Sequence, residues 1–128
     1  MGQLIEQHIF GTAHLEQIFK EIILDRLGEY RACLKSFEIN AWMPTTVQES
    51  IMMKRDFPQG IFVVKGYLAL DDSGVGVRYF EINVEQGLPK DKDEQIAKDL
   101  AHHCFVCVCK MKRERKKNPD AAKLIVNG

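Results

Sequence analysis

The chain has 128 residues, of which 45% are hydrophobic and 28% are charged. This composition is typical of a globular domain and excludes a disordered chain, so we expect one domain over residues 1–128. Eighteen basic residues balance eighteen acidic ones, which excludes a global field that would attract nucleic acid or an acidic membrane. Near-zero net charge also favours self-association.

The first ten residues, MGQLIEQHIF, lack the basic region and the long apolar run of a secretory signal. No apolar run approaches the roughly 20 residues that a membrane span needs. Three of the four cysteines stand close together, at positions 104, 107 and 109, which indicates reduced thiols rather than a disulfide framework. We therefore expect a cytoplasmic protein without membrane association.

The N-terminal part predicts a helix over residues 12–27, because Leu15 and Phe19 recur at helical spacing with further apolar residues beside them. Gly28 stands where a glycine commonly ends a helix. Residues 3–10 either extend this helix or form a separate strand, and we favour one long helix.

Alternating residues predict a strand over residues 33–43, which Pro44 ends. A short helix is predicted over residues 46–55, because Thr46 and Glu49 have the spacing of a capping box, although a strand is an alternative.

Two further segments, 61–71 and 76–85, are rich in β-branched and aromatic residues. They predict an antiparallel hairpin with a tight turn at 71–74 and with Phe80, Ile82 and Val84 on one buried face.

A long helix is predicted over residues 92–116, with acidic residues at its start and basic residues at its end, as the helix dipole favours. Residues 104–109 are apolar on all sides and also fit a strand, but we favour helix. The order is α-β-(α)-β-β-α. We therefore predict an α+β fold in which an antiparallel sheet of three or four strands packs against long N- and C-terminal helices.

The cysteines raise the question of a metal site, because His103 and Cys107 share a helical face with Cys104 beside them, and Cys33, His8 or His14 would have to complete the set. We favour cysteines as core residues instead, since no second ligand pair exists elsewhere. Asp71 and Asp72 fit a turn better than acid–base catalysis. The sequence therefore predicts no catalytic residue, no metal site and no cofactor.

Basic residues crowd the end of the last predicted helix and offer a candidate nucleic-acid surface: Lys110, Lys112, Arg113, Arg115, Lys116 and Lys117. The order α-β-β-β-α resembles that of double-stranded RNA-binding domains. Those domains carry lysines at the start of the final helix, where Lys90, Lys92 and Lys98 stand here. Carboxylates between these lysines largely cancel their charge, so we assign no family. For the basic residues at the other end of the helix, we favour a solvated helix end over a nucleic-acid surface.

Four aromatic residues form the candidate partner surface: Trp42, Tyr67 and Tyr79 on one face of the sheet, and Phe105 in the apolar stretch of the last helix. With no catalytic motif in the sequence, we expect a non-enzymatic interaction module that binds itself as a homodimer or binds another protein. The alternatives are a nucleic-acid-binding protein that uses the basic helix, and a small-ligand-binding protein or enzyme with a pocket near Cys33 or Cys104.

Overall fold

The computed structural model describes the backbone of residues 2–117 and the side chains of residues 14–117. It has three helices and three strands, in an α+β arrangement: α1 (Gly2–Leu27), β1 (Leu34–Ala41), α2 (Val47–Asp56), β2 (Ile61–Leu68), β3 (Arg78–Glu85) and α3 (Lys90–Lys117). The strands form one antiparallel sheet in the order β1-β2-β3. Within the described residues, no helix is long and apolar enough to cross a bilayer.

Helix α1 runs without interruption through residues 3–10, which confirms one long helix and excludes a separate first strand. It ends at Gly28, whose φ of 56° lies in the left-handed region that glycine adopts without strain. A short 3-10 helix, Gly28–Cys33, then leads into β1.

The strands pair in a register that sorts their side chains onto two faces. Phe62, Val64 and Leu68 of β2 are buried on the inner face, and Phe80 and Val84 of β3 lie on the same face. The inner face of the hairpin is therefore the predicted one, and the polar residues of β3 lie on the outer face.

The core lies between this inner face and the two long helices. Helix α1 contributes Phe19, Ile23 and Leu27, each no more than 1% exposed, and α3 contributes Cys104 and Val108, both fully buried. The 104–109 stretch is thus helical, and half-buried Phe105 and Cys107 pack against the same core.

All three strands are shorter than the segments predicted for them. Strand β1 ends at Ala41 instead of residue 43, and Met43 is 72% exposed, because Pro44 has no N–H with which to continue the ladder.

The tight turn predicted at residues 71–74 is instead a longer connection over residues 69–77. The Oδ1 atom of Asp71 accepts a hydrogen bond from the N–H of Ser73, and Gly74 and Gly76 both adopt positive φ. These local bonds and backbone conformations replace ladder pairing.

Gly66 on β2 lies where the sheet leaves no room for a side chain. A Cβ atom there would stand 2.7 Å from Cζ of Phe80 and would collide with the carbonyl oxygen of Ser36. We expect Gly66→Ala to lower the free energy of unfolding by roughly 1–3 kcal/mol, as overpacking of a core does. Urea titration checks this.

The control for Gly66→Ala is Lys65→Ala, since Lys65 is exposed and forms only a surface ion pair with Glu38. Its free energy of unfolding should change by less than about 0.5 kcal/mol. Equal losses in the two variants would contradict the close approach at Gly66.

Candidate functional site

Two of the predicted partner residues lie together at one end of the outer sheet face. Tyr67 and Tyr79 are directly opposite each other on β2 and β3, and their ring centroids are 5.7 Å apart. Tyr79 is 80% exposed. This pair is a small aromatic patch open to solvent.

Trp42 lies at the other end of the same sheet. Its N–H donates to the carbonyl of Ile61, whereas Tyr67 pairs with Ser36, six residues earlier along the β1 chain. At about 3.3 Å per residue, Trp42 is roughly 20 Å from the tyrosines along the strand. The ion pair between Lys65 and Glu38 lies between them, so the three aromatic residues do not form one surface.

Phe105, the fourth predicted partner residue, belongs to the helical layer. Its ring centroid is 6.2 Å from that of Tyr30, and the guanidinium carbon of Arg26 lies 4.2 Å above its ring. The Nζ atom of Lys112 lies 4.3 Å from the ring centroid of Tyr30. Side chains from α1 and α3 therefore cover this half-buried aromatic pair by cation–π contacts.

The basic cluster at the end of α3 divides into cations with structural contacts and cations that are free. Nη1 of Arg115 donates to Oδ2 of Asp71 at 2.6 Å, and Lys112 lies over Tyr30. The other four are exposed, with no ion-pair or hydrogen-bond partner among the described residues: Lys110, Arg113, Lys116 and Lys117.

The two carboxylates of the β2–β3 connection make structural contacts. Hydrogen bonds from Ser73 and from Arg115 lower the pKa of Asp71 from 3.8 to about 2, so this carboxylate stays ionised at neutral pH. Asp72 forms an ion pair with Lys35, at 3.1 Å between Nζ and Oδ1. These contacts tie the connection to α3 and to β1, and a permanently ionised carboxylate is a poor general acid.

Among the described side chains, the largest group of exposed apolar ones lies on and beside α2, in the connection between β1 and β2. Val47 is 79% exposed and Ile51 63% exposed, and α2 buries none of its residues. We call the following five residues the α2 surface: Met43, Val47, Ile51, Met52 and Phe57. Exposed patches of this kind mark interaction sites in soluble proteins.

The N-terminus of α2 is capped, which fixes where the helix begins. The Thr46 hydroxyl accepts a hydrogen bond from the N–H of Glu49 at 3.0 Å, as the capping-box spacing predicts. The Glu49 carboxylate accepts from the N–H and the hydroxyl of Thr45, and these bonds lower its pKa. Glu49 and Met53 are half-buried, whereas Val47 and Ile51 lie in solvent.

The sequence analysis predicted a short helix here but named none of its residues as part of a partner surface, so it missed this surface. A signal existed, because a ten-residue helix that carries Val47, Ile51, Met52 and Met53 has apolar residues on more than one side. One side of so short a helix contacts the body of the protein, so the others are left exposed.

Three of the four cysteines, Cys33, Cys104 and Cys107, lie in or against the hydrophobic core. Cys33 and Cys104 are buried, Cys107 and Cys109 are half-buried, and all four are free. Among the described residues no three His, Cys, Asp or Glu side chains converge to hold a metal ion. The side chain of His8, a candidate ligand in the sequence, lies outside the described residues.

Comparisons with known proteins assign no family to the chain. No protein-family model, no curated protein and no solved structure matches it. Its function therefore has to be argued from its own surfaces.

The thiols should differ strongly in reactivity. Burial, with a smaller effect of Cys107, raises the pKa of Cys104 to about 12, so only about one thiol in ten thousand is ionised at pH 8. We expect Ellman's reagent to label half-buried Cys109 in the native protein and to leave Cys104 unlabelled until urea unfolds the chain. Cys109→Ser should lower the native-state reaction, and Cys104→Ser should leave it unchanged. Labelling of Cys104 in the folded protein as fast as that of Cys109 would contradict its burial.

Proposed function

We propose that this protein is a non-enzymatic interaction module that binds a partner protein through the α2 surface. The observation that carries the proposal is the exposure of Val47 and Ile51 on a helix that has no fully buried residue. The five side chains on and beside this helix are between 37% and 79% exposed, and exposed apolar groups of this kind often mark interaction sites.

The chemistry of the partner follows from the outward face of α2. Val47, Ile51 and Lys54 stand at positions i, i+4 and i+7 and so share one side of the helix. Lys54 is exposed and has no ion-pair partner among the described residues. An amphipathic helix of this pattern fits an apolar groove, so we propose a partner protein with such a groove and a carboxylate at its rim.

Two other aspects of the chain agree with this proposal. The carboxylates best placed for acid–base chemistry, Asp71 and Asp72, form ion pairs, and the buried thiol of Cys104 resists ionisation. Three free cysteines in one turn and a half of α3 suit a reducing compartment, so we also propose that the module acts in the cytoplasm.

The test uses a photo-crosslinking amino acid in place of Ile51, expressed in the native host. We expect one adduct, with a protein that, once identified and purified, binds this chain in calorimetry. Ile51→Glu should weaken that binding by roughly tenfold or more, because a central apolar anchor contributes at least about 1.4 kcal/mol.

The matched control is Gln17→Glu, which makes the same charge change at an exposed site on α1 and should leave the affinity unchanged. An adduct with a second copy of the chain would contradict the proposal. So would a purified partner that binds the wild type and Ile51→Glu equally well.

A second candidate function is nucleic-acid binding, favoured by the four free cations of α3. Lys110, Arg113, Lys116 and Lys117 are exposed, and the nearby carboxylate of Glu114 is engaged by Arg78 at 2.9 Å. Cations without competing carboxylates neutralise phosphates and release counterions.

If this candidate is correct, the protein should bind a short RNA duplex at about micromolar Kd, and affinity should fall steeply with salt. Replacing those four cations by Gln should lower the slope of log K against log salt by about one for each cation removed. The control replaces four exposed lysines elsewhere by Gln: Lys20, Lys54, Lys92 and Lys98. Equal losses in both variants, measured by fluorescence anisotropy, would contradict a site on α3.

A further inference from the structure

Strand β3 is a free and regular edge of the sheet. It pairs with β2 along all eight of its residues without a register shift, and no described strand pairs with its other side. The opposite edge, β1, carries a register shift between Leu34 and Ser36, a feature that discourages strand addition. The β3 edge has neither a bulge nor a proline, so it remains open to pairing.

An apolar groove runs beside this edge, between β3 and α3. It has a volume of about 490 Å³, and its lining includes apolar Ile82, Ile96 and Leu100 together with polar Asp99 and His103. Ile82 is only half-buried, although its neighbours on the same face of β3 are buried. A strand added to β3 would place its inward side chains over this groove and extend the core.

We propose that a second copy of this chain occupies the edge, with the two β3 strands antiparallel and the two Ile82 residues opposite each other. A two-fold axis perpendicular to the sheet relates such strands, so residues opposite each other lie on the same face. The product is a continuous six-stranded sheet whose helices all lie on one side. This contact is distinct from the α2 surface, so the dimer and the proposed function can fail separately.

The charges on β3 select this register among those that two-fold symmetry allows. A register centred on Glu81 places the Glu81 carboxylates of the two copies opposite each other, which is repulsive. A register centred on Asn83 places Glu81 of each copy opposite Glu85 of the other, which is repulsive twice. A register centred on Phe80 pairs only five residues of each strand. The register centred on Ile82 pairs seven residues and brings no like charges together, opposing Tyr79 with Glu85, Phe80 with Val84, and Glu81 with Asn83.

The test introduces like charges into this register without touching the core. Asn83 is exposed on the outer face, and in the dimer it opposes Glu81 of the second copy. Asn83→Glu should therefore raise the dimer Kd by roughly tenfold or more, because symmetry makes the repulsive contact twice. Sedimentation equilibrium measures this Kd, and adding Glu81→Gln to the variant should restore it.

The matched control is Asn40→Glu, because Asn40 and Asn83 flank the same residue, Val63, on the same face of the sheet. This variant should dimerise like the wild type. A wild-type chain that stays monomeric at the highest soluble concentration would overturn the proposal. A dimer weakened equally by Asn40→Glu and Asn83→Glu, or weakened by Ile51→Glu instead, would also overturn it.

Discussion

The packing of α1 against α3 over one face of the sheet is the contact on which the rest of the structure depends. Phe19, Ile23 and Leu27 recur every four residues along α1 and are almost completely excluded from water. They meet Cys104 and Val108 of α3 in the same core cluster. Each fully buried side chain of this size stabilises the fold by about 1.5–3 kcal/mol relative to exposure, so this layer holds both helices on the sheet.

A core on one side of the sheet determines which parts of the chain are left without cover. The outer face is charged at its centre, where Lys65 pairs with Glu38, and it is therefore compatible with water. Helix α2 stands in the connection between β1 and β2, away from the α1–α3 layer, and contributes no buried residue. The α2 surface and the β3 edge are thus two places where apolar side chains or backbone groups lack partners within the described chain.

Local signals accounted for most of the secondary structure. The Thr46–Glu49 spacing predicts the start of α2, Gly28 predicts the end of α1, and the alternation through Phe80, Ile82 and Val84 predicts the buried face of β3. Each of these features depends on residues within a few positions of one another, which is why the sequence alone was sufficient.

The candidate site was less predictable, because it depends on contacts between distant segments. Trp42 and Tyr67 share a face, but only the pairing of β1 with β2 reveals how far apart they lie. Arg26 of α1 lies over Phe105 of α3, and Lys112 of α3 lies over Tyr30, so both contacts join segments that are far apart in the sequence. The outward orientation of Ile51 depends on which side of α2 meets the body of the protein, and hydrophobicity alone does not determine that side.

The central claim is that the apolar side chains of α2 serve a partner and not the fold. Urea unfolding of a Val47→Ser, Ile51→Ser double variant tests it most directly, because serine has a helix propensity close to those of valine and isoleucine. The account predicts a free energy of unfolding within about 0.5 kcal/mol of the wild type, as for exposed sites. A loss of more than about 2 kcal/mol, the size expected for truncated core residues, would contradict it.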